Sequence, residues 1–91
     1  MTDWSARQAE AATADGEDWE TLHEAFARDW KAAYSRRFIE FAVSRGWSEF
    51  DAATWPDNIV DDALLWGACE HDWCPIRTAE ADVMACEVED A

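Results

Sequence analysis

Apolar residues recur along this chain mostly at the three- and four-residue intervals that place side chains on one side of an α-helix. The clearest run lies between Asp18 and Gly46. Its predicted apolar face consists of Trp19, Leu22, Phe26, Trp30, Ala33, Tyr34 and Phe41. After Ser35 the apolar positions become denser, which indicates either a more buried half or a break there. The run 38–43 also fits a short strand, but periodicity and the many alanines favour helix.

A shorter helix is predicted before this one, from about Asp3 to Ala14. Thr2 or Asp3 is suited to cap its first turn, and Gly16 is suited to end it. Because Trp4 is its only large apolar side chain, residues 1–16 are expected to form a loosely packed N-terminal helix.

Two proline-containing segments separate the helices predicted in the second half of the chain. Ser48 followed by Asp51 resembles a capping box and predicts a short helix or turn over 47–54, which Trp55-Pro56 should break. A third helix is predicted over 57–70, beginning just after Pro56. Its apolar face holds Ile59, Val60, Ala63, Leu64 and Gly67, and Leu65 falls outside that face.

A loop over 71–77, around Pro75, is predicted to lead to a last helix over 79–88 that Thr78 caps. Acidic residues at the end of that helix oppose its dipole, so 87–91 is expected to be a frayed tail. Together these elements predict an all-α fold: a small helical bundle of three to five helices in a single domain, 1–91.

Composition supports one compact intracellular domain. The chain has 91 residues, of which 49% are hydrophobic, with only three glycines and two prolines. It begins with no signal-peptide pattern, and no window has the length and apolarity of a membrane span. Three cysteines without export signals predict a reduced, cytoplasmic location.

The net charge is unusual for a small globular domain. The formal net charge is −14, far beyond the magnitude of roughly 2–8 that suits a small domain. Residues 1–27, 28–45 and 46–91 contribute −6, +3 and −11. This excess disfavours direct binding to nucleic acid or to an anionic membrane, and it favours a basic partner surface.

The acidic residues of the C-terminal half are the predicted binding surface. Carboxylates three or four residues apart on a helix lie roughly 5–6 Å apart, a scale close to the ~3.4 Å phosphate rise of one DNA strand. The predicted partner-binding residues are Asp57, Asp61, Asp62, Trp66, Glu70, Asp72, Trp73, Glu80 and Asp82. A solvated face, or adaptation to high salt in an Arg-rich and Lys-poor protein, would produce a similar charge.

Seven tryptophans are more than one small core buries readily. Periodicity assigns Trp19 and Trp30 to the core. The remaining rings after residue 46 lie at predicted element ends, loops or helix flanks, where tryptophan often anchors a protein interface: Trp47, Trp55, Trp66 and Trp73.

Metal binding and catalysis have weaker support. Cys69, His71, Cys74 and Cys86 could supply four zinc ligands, but their spacing matches no familiar zinc pattern, and Cys69 and Cys86 also suit a small core. The chain contains no phosphate-binding glycine loop, no nucleophile elbow and no zinc-protease motif. The sequence therefore predicts a protein that is not an enzyme and uses no cofactor.

In size and charge profile the chain resembles the small acidic inhibitors of phages and mobile elements, namely anti-CRISPR proteins, antirestriction proteins and other DNA mimics. That resemblance implies inhibition of a nucleic-acid-binding protein in the host cytoplasm by occupation of its basic groove. Two alternatives stay open: a helical adaptor or antitoxin-like homodimer held by tryptophan contacts, and a small zinc-binding module.

Overall fold

Helices account for all the regular structure that the computed structural model contains. The model describes residues 3–14 and 16–90, and their side chains except at 17 and 88–90. Four α-helices lie in these ranges, namely α1 (Trp4–Thr13), α2 (Glu17–Ser44), α3 (Glu49–Asp62) and α4 (Pro75–Asp90). Between α3 and α4 lie a π-helical turn, Ala63–Gly67, and a 3₁₀ turn, Ala68–His71. The predicted all-α bundle is confirmed. None of the described helices combines the length and apolarity required to cross a membrane.

The N-terminal helix packs against α2 through an aromatic contact and an ion pair. Asp3 caps it by accepting a hydrogen bond from the Ala6 backbone N–H at 3.1 Å, while Thr2 lies outside the described residues. The Trp4 ring meets Phe26 edge-on at 6.1 Å between centroids. Arg7 donates to Asp29 on α2 at 2.9 Å. One indole and one ion pair therefore supplement the contacts of its small alanines.

α2 is the central element, and it runs unbroken through the region of Ser35. Its buried side chains follow a four-residue interval and contact all the other helices: Phe26, Trp30, Tyr34, Phe38 and Ala42. The strand alternative over 38–43 is therefore wrong. Trp19 is 50% exposed, against the prediction of a core residue. It lies in the first turn of α2, and its ring lies against that of His23 at 4.3 Å between centroids.

α3 begins where the capping pattern predicts but does not end at proline. Ser48 accepts a hydrogen bond from the Asp51 backbone N–H at 3.1 Å, and the helix then continues through Pro56 to Asp62. Pro56 is fully buried, so packing holds the ring inside the helix although it removes the bond to the Ala52 carbonyl. The predicted break at Trp55-Pro56 and the single third helix over 57–70 are both wrong.

The chain reverses between α3 and α4 through two consecutive left-handed residues, Asp72 (φ 55°) and Trp73 (φ 62°). Such a conformation costs roughly 1–3 kcal/mol for a non-glycine residue and persists only where surrounding contacts impose it. The Trp73 N–H donates to the Ala68 carbonyl at 2.8 Å, and the Trp73 carbonyl accepts the Trp30 indole N–H at 2.9 Å. The hydrogen bond from the core residue Trp30 therefore helps to maintain this strained backbone conformation.

The last helix starts one turn earlier than predicted. Pro75 occupies its first turn, where a missing N–H costs little, and the Cys74 carbonyl accepts the first helical bond from the Thr78 N–H. Thr78 is not a cap: it is buried, and its hydroxyl donates to the same Cys74 carbonyl. The predicted loop over 71–77 and the helix over 79–88 are corrected accordingly.

The helical backbone extends to Asp90, through most of the segment 87–91 predicted to fray. Glu87 accepts two hydrogen bonds from the Arg45 guanidinium, at 2.6 and 2.7 Å, and a third from the Trp47 indole at 3.3 Å. These bonds to the end of α2 and the loop after it offset the unfavourable dipole of the helix end. Ala91 lies outside the described residues.

Replacing Pro56 by alanine should stabilise the protein by about 1 kcal/mol. The substitution restores a backbone bond inside α3 and removes a penalty of about 3 kcal/mol. That gain exceeds the loss of about two buried methylene groups, at ~0.8 kcal/mol each. Urea denaturation followed by far-ultraviolet circular dichroism measures the difference.

The matched control is Pro75→Ala, in which an equally buried ring is lost from a first-turn position that gains no hydrogen bond. That variant should lose about 1–2 kcal/mol. Equal effects of the two substitutions would contradict the structural distinction between these prolines.

Candidate functional site

The π-helical turn places two large apolar side chains in solvent side by side. Its wide turn is closed by the Ala68 N–H, which donates to the Ala63 carbonyl five residues earlier. Ala63 and Ala68 face the core, whereas Leu65 is 68% exposed and Trp66 is 74% exposed. A turn with an inserted residue therefore buries the small side chains and exposes the large ones.

An open groove of about 420 Å³ lies between this turn and α4. Small and aliphatic residues form part of its lining, and carboxylates and the exposed indole form the remainder. The complete lining consists of Ile59, Asp62, Ala63, Trp66, Gly67, Glu70, Asp82, Ala85 and Cys86. The structure thus brings together four of the predicted partner-binding residues, each from a different element: Asp62, Trp66, Glu70 and Asp82.

Two of the groove carboxylates have no cation beside them. Asp62 and Glu70 are exposed, and within the described part of the chain neither forms an ion pair or accepts a side-chain hydrogen bond. Their negative charge is therefore compensated only by solvent and salt. The groove presents a concentrated negative field next to an aromatic face.

The third groove carboxylate, that of Asp82, is hydrogen-bonded to a core residue. Asp82 accepts a hydrogen bond of 2.6 Å from the hydroxyl of Tyr34, whose ring is fully buried. Burial raises the pKa of Asp82 above its ordinary value, and the Tyr34 hydrogen bond and the charge of His71 oppose that rise. The pKa of the Tyr34 hydroxyl is raised far above its ordinary value by burial, with Asp82 adding to the effect. Tyr34 therefore stays a hydrogen-bond donor at all physiological pH values.

The remaining predicted partner-binding residues lie outside the groove. Asp57 is exposed on α3. Asp61 pairs with Lys31 at 2.6 Å, Asp72 pairs with Arg77 at 3.7 Å, and Glu80 pairs with Arg37 at 2.9 Å. The last of these pairs joins α2 to α4.

Trp73 packs against the core. Its ring is half-buried and meets Phe26 edge-on at 6.3 Å between centroids. Periodicity missed this because the left-handed backbone at Trp73 turns the side chain in a direction that no helical pattern describes. Trp47 is also half-buried, against Phe38, and Trp55 is partly exposed.

The four residues considered as zinc ligands do not converge. Among the described residues, no group of three or more His, Cys, Asp or Glu side chains is placed to hold a metal ion. Cys69 is exposed, with its sulfur 3.7 Å from the Trp66 carbonyl oxygen, whereas Cys74 and His71 are half-buried. Cys86 lines the groove on α4.

A second groove, of about 230 Å³, lies on the other side of the π-helical turn and is almost entirely apolar. α1, α2 and the turn contribute to it, and its lining consists of Gln8, Ala11, His23, Phe26, Ala27, Leu64, Leu65 and Trp73. The sequence signal for this surface is Leu65, which falls outside the apolar face of its helix. We call it the apolar groove, and the first the acidic groove.

No protein-family model matches this chain, and comparisons with curated proteins and with solved structures returned no match. The grooves and the charge distribution are therefore the features of this chain that indicate a function.

Asp82→Asn should make the protein more stable at pH 7. Because the pKa of Asp82 is raised in the folded state, ionisation of this carboxyl costs stability as pH rises through that pKa, and the cost is absent at pH values below the ordinary pKa. Asparagine keeps an oxygen that accepts the Tyr34 hydroxyl but never ionises. We expect the melting temperature to exceed that of the wild type at pH 7, and the difference to vanish near pH 3.

Asp57→Asn removes the same charge from an exposed site, and it controls for relief of general repulsion. A smaller gain from Asp82→Asn than from Asp57→Asn at pH 7 would contradict the ionisation cost assigned to Asp82.

Proposed function

We propose that this chain is an acidic inhibitor that binds the basic surface of a nucleic-acid-binding protein and blocks it by presenting a DNA-like negative surface. This is the anti-CRISPR and antirestriction type of activity, exerted in the cytoplasm of a host cell by a phage or mobile-element protein. The chain performs no catalysis in this role and does not bind nucleic acid itself.

The observation that carries the proposal is the distribution of ion pairs. Six of the seven basic residues pair with acidic side chains within the chain, and only Arg36 has no such pair in the described structure. Eleven carboxylates in the same described part have no cationic partner. They are Asp3, Glu10, Asp18, Glu20, Glu24, Glu49, Asp51, Asp57, Asp62, Glu70 and Asp82. Most of the cations are therefore used in ion pairs within the chain, and the surplus carboxylates are available to solvent or to a partner.

The density of the net charge is close to that of one strand of nucleic acid. The molecule measures 46 × 23 × 22 Å. Fourteen net negative charges over 46 Å give about one charge per 3.3 Å, against about one per 3.4 Å for a single strand of duplex DNA. A site lined with Lys and Arg that tracks a phosphate backbone would therefore meet a comparable field over a length of about 13 base pairs.

A protein-interaction adaptor or homodimer is the second candidate, and the apolar groove favours it. Leu65 is 68% exposed at the rim of that groove. An apolar side chain of another protein, or of a second copy, would cover this surface without help from charge. Association through it would persist at high salt, which separates it from the first proposal.

The test of inhibition is a pull-down with tagged protein from bacterial lysate, washed at about 0.1 M and then about 1 M salt, where the Debye length falls from about 10 Å to about 3 Å. We expect a nucleic-acid-binding protein that is released by high salt and displaced by duplex DNA. Capture of a partner that resists both salt and DNA would move the assignment to the adaptor.

Position, and not only total charge, should decide binding to that target. Neutralising Asp57, Asp62 and Glu70 together (D57N, D62N, E70Q) should weaken binding at least tenfold, because uncompensated carboxylates at the acidic groove and on neighbouring α3 are lost. Neutralising Glu10, Glu20 and Glu24 (E10Q, E20Q, E24Q) changes the net charge equally and should have a much smaller effect. Isothermal titration calorimetry measures both, and equal effects would contradict a defined binding face.

A further inference from the structure

The acidic groove combines an exposed aromatic face with an apolar lining and has no cation of its own. Trp66 is the most exposed tryptophan whose burial the structure gives, and Ala63, Gly67 and Ala85 line the groove beside it. A ring of this size in solvent exposes apolar area that a partner could cover. The π-helical turn holds the ring there, since the same turn buries Ala63 and Ala68.

Charge complementarity identifies the chemistry of that partner. Three carboxylates line the groove, those of Asp62, Glu70 and Asp82, and no Arg or Lys is among its lining residues. Arg77, the one Arg or Lys in residues 46–91, pairs with Asp72, and Lys31 pairs with Asp61 next to Asp62. An anionic or neutral occupant would leave these carboxylates uncompensated or desolvated, and only a cationic one would pair with them.

We propose that the acidic groove receives an arginine side chain of the target, whose guanidinium stacks on the Trp66 indole and pairs with Asp62 and Glu70. This inference rests on the proposed function, since it names the group through which a basic nucleic-acid-binding surface would be engaged. An arginine that ordinarily contacts phosphate has the planar donor set that a carboxylate also accepts.

Arginine fits this groove better than lysine for physical reasons. The guanidinium is flat and weakly hydrated, so it lies against an aromatic face while its edge donates to carboxylates. The ammonium group of lysine is compact and strongly hydrated, and it gains less from stacking. The distinction matters experimentally because simple charge attraction would treat the two residues alike.

The test uses the full chain and a hexa-arginine peptide as the probe, with binding measured by isothermal titration calorimetry at about 0.1 M salt. Trp66→Ala should weaken binding by about 2-fold to 30-fold, the range expected for a cation on an aromatic face. The matched control is Trp19→Ala. Trp19 is also half-exposed and also flanked by acidic residues, but it does not line the acidic groove. This control should change binding by less than twofold.

A hexa-lysine peptide of equal charge completes the design. It should bind the wild type more weakly than hexa-arginine, and this preference for arginine should be smaller in Trp66→Ala, where only the carboxylates remain to favour the guanidinium. Equal effects of the two tryptophan substitutions, or no preference for arginine in the wild type, would overturn the proposal. Circular dichroism and melting temperature verify that each variant is folded, which the exposure of both rings leads us to expect.

Failure of this inference is distinguishable from failure of the proposed function. Trp66-dependent peptide binding without any salt-sensitive, DNA-displaceable target in lysate would sustain the arginine site and reject the inhibitor. A DNA-displaceable target bound equally by wild type and Trp66→Ala, together with peptide binding that ignores Trp66, would sustain the inhibitor and reject the arginine site.

Discussion

The fold depends on a line of buried side chains that runs along α2 at intervals of four residues: Phe26, Trp30, Tyr34, Phe38 and Ala42. Four residues advance an α-helix by about 400°, so each side chain lies about 40° further around than the one before, and the line turns by about 160° in all. One neighbouring helix cannot cover such a line. α1 and Trp73 cover Phe26, α4 meets the middle through Asp82, and Trp47 covers Phe38.

Two of the rings on this line carry polar atoms, and their hydrogen bonds position the surface. The Trp30 indole N–H must find an acceptor in the core, and it binds the carbonyl of Trp73, in the strained reversal before α4. The Tyr34 hydroxyl likewise holds Asp82 on α4. These bonds fix the end of the chain reversal and one wall of the acidic groove, so the geometry of the groove follows from the core of α2.

Much of this architecture is predictable from the sequence, because long helices with clear periodicity and simple caps are governed by local rules. α2 and the Asp3 and Ser48 caps follow from such rules. The errors occur where tertiary packing overrides local preference. Pro56 stays inside α3 because its ring is buried. The left-handed conformation of Trp73 depends on a hydrogen bond that the indole N–H of Trp30, 43 residues away, donates to the Trp73 carbonyl.

The acidic groove was only partly predictable for the same reason. Asp62, Trp66 and Glu70 lie four residues apart, so helical periodicity places them on one side of a helix, but it gives no reason to place Asp82 beside them. The inserted residue of the π-helical turn changes the register after Asp62 and turns Trp66 outward beside α4. The same change of register creates the apolar groove at Leu65, which no single-period helix pattern would place opposite Ala11 and Phe26.

Uncompensated charge also constrains what the free protein gains from a partner. Because the basic residues are almost all used within the bundle, the remaining carboxylates repel one another, and that repulsion lowers the stability of the compact state. Salt screens this repulsion over the whole surface of the protein. Adaptation to high salt would therefore be a sufficient reason for the acidic composition by itself. Salt gives no reason for an exposed indole between unpaired carboxylates, whereas a basic partner relieves the repulsion and covers Trp66 in the same step. Any such partner must stabilise the fold by binding it, so the cost carried by the free protein becomes part of the driving force for the complex.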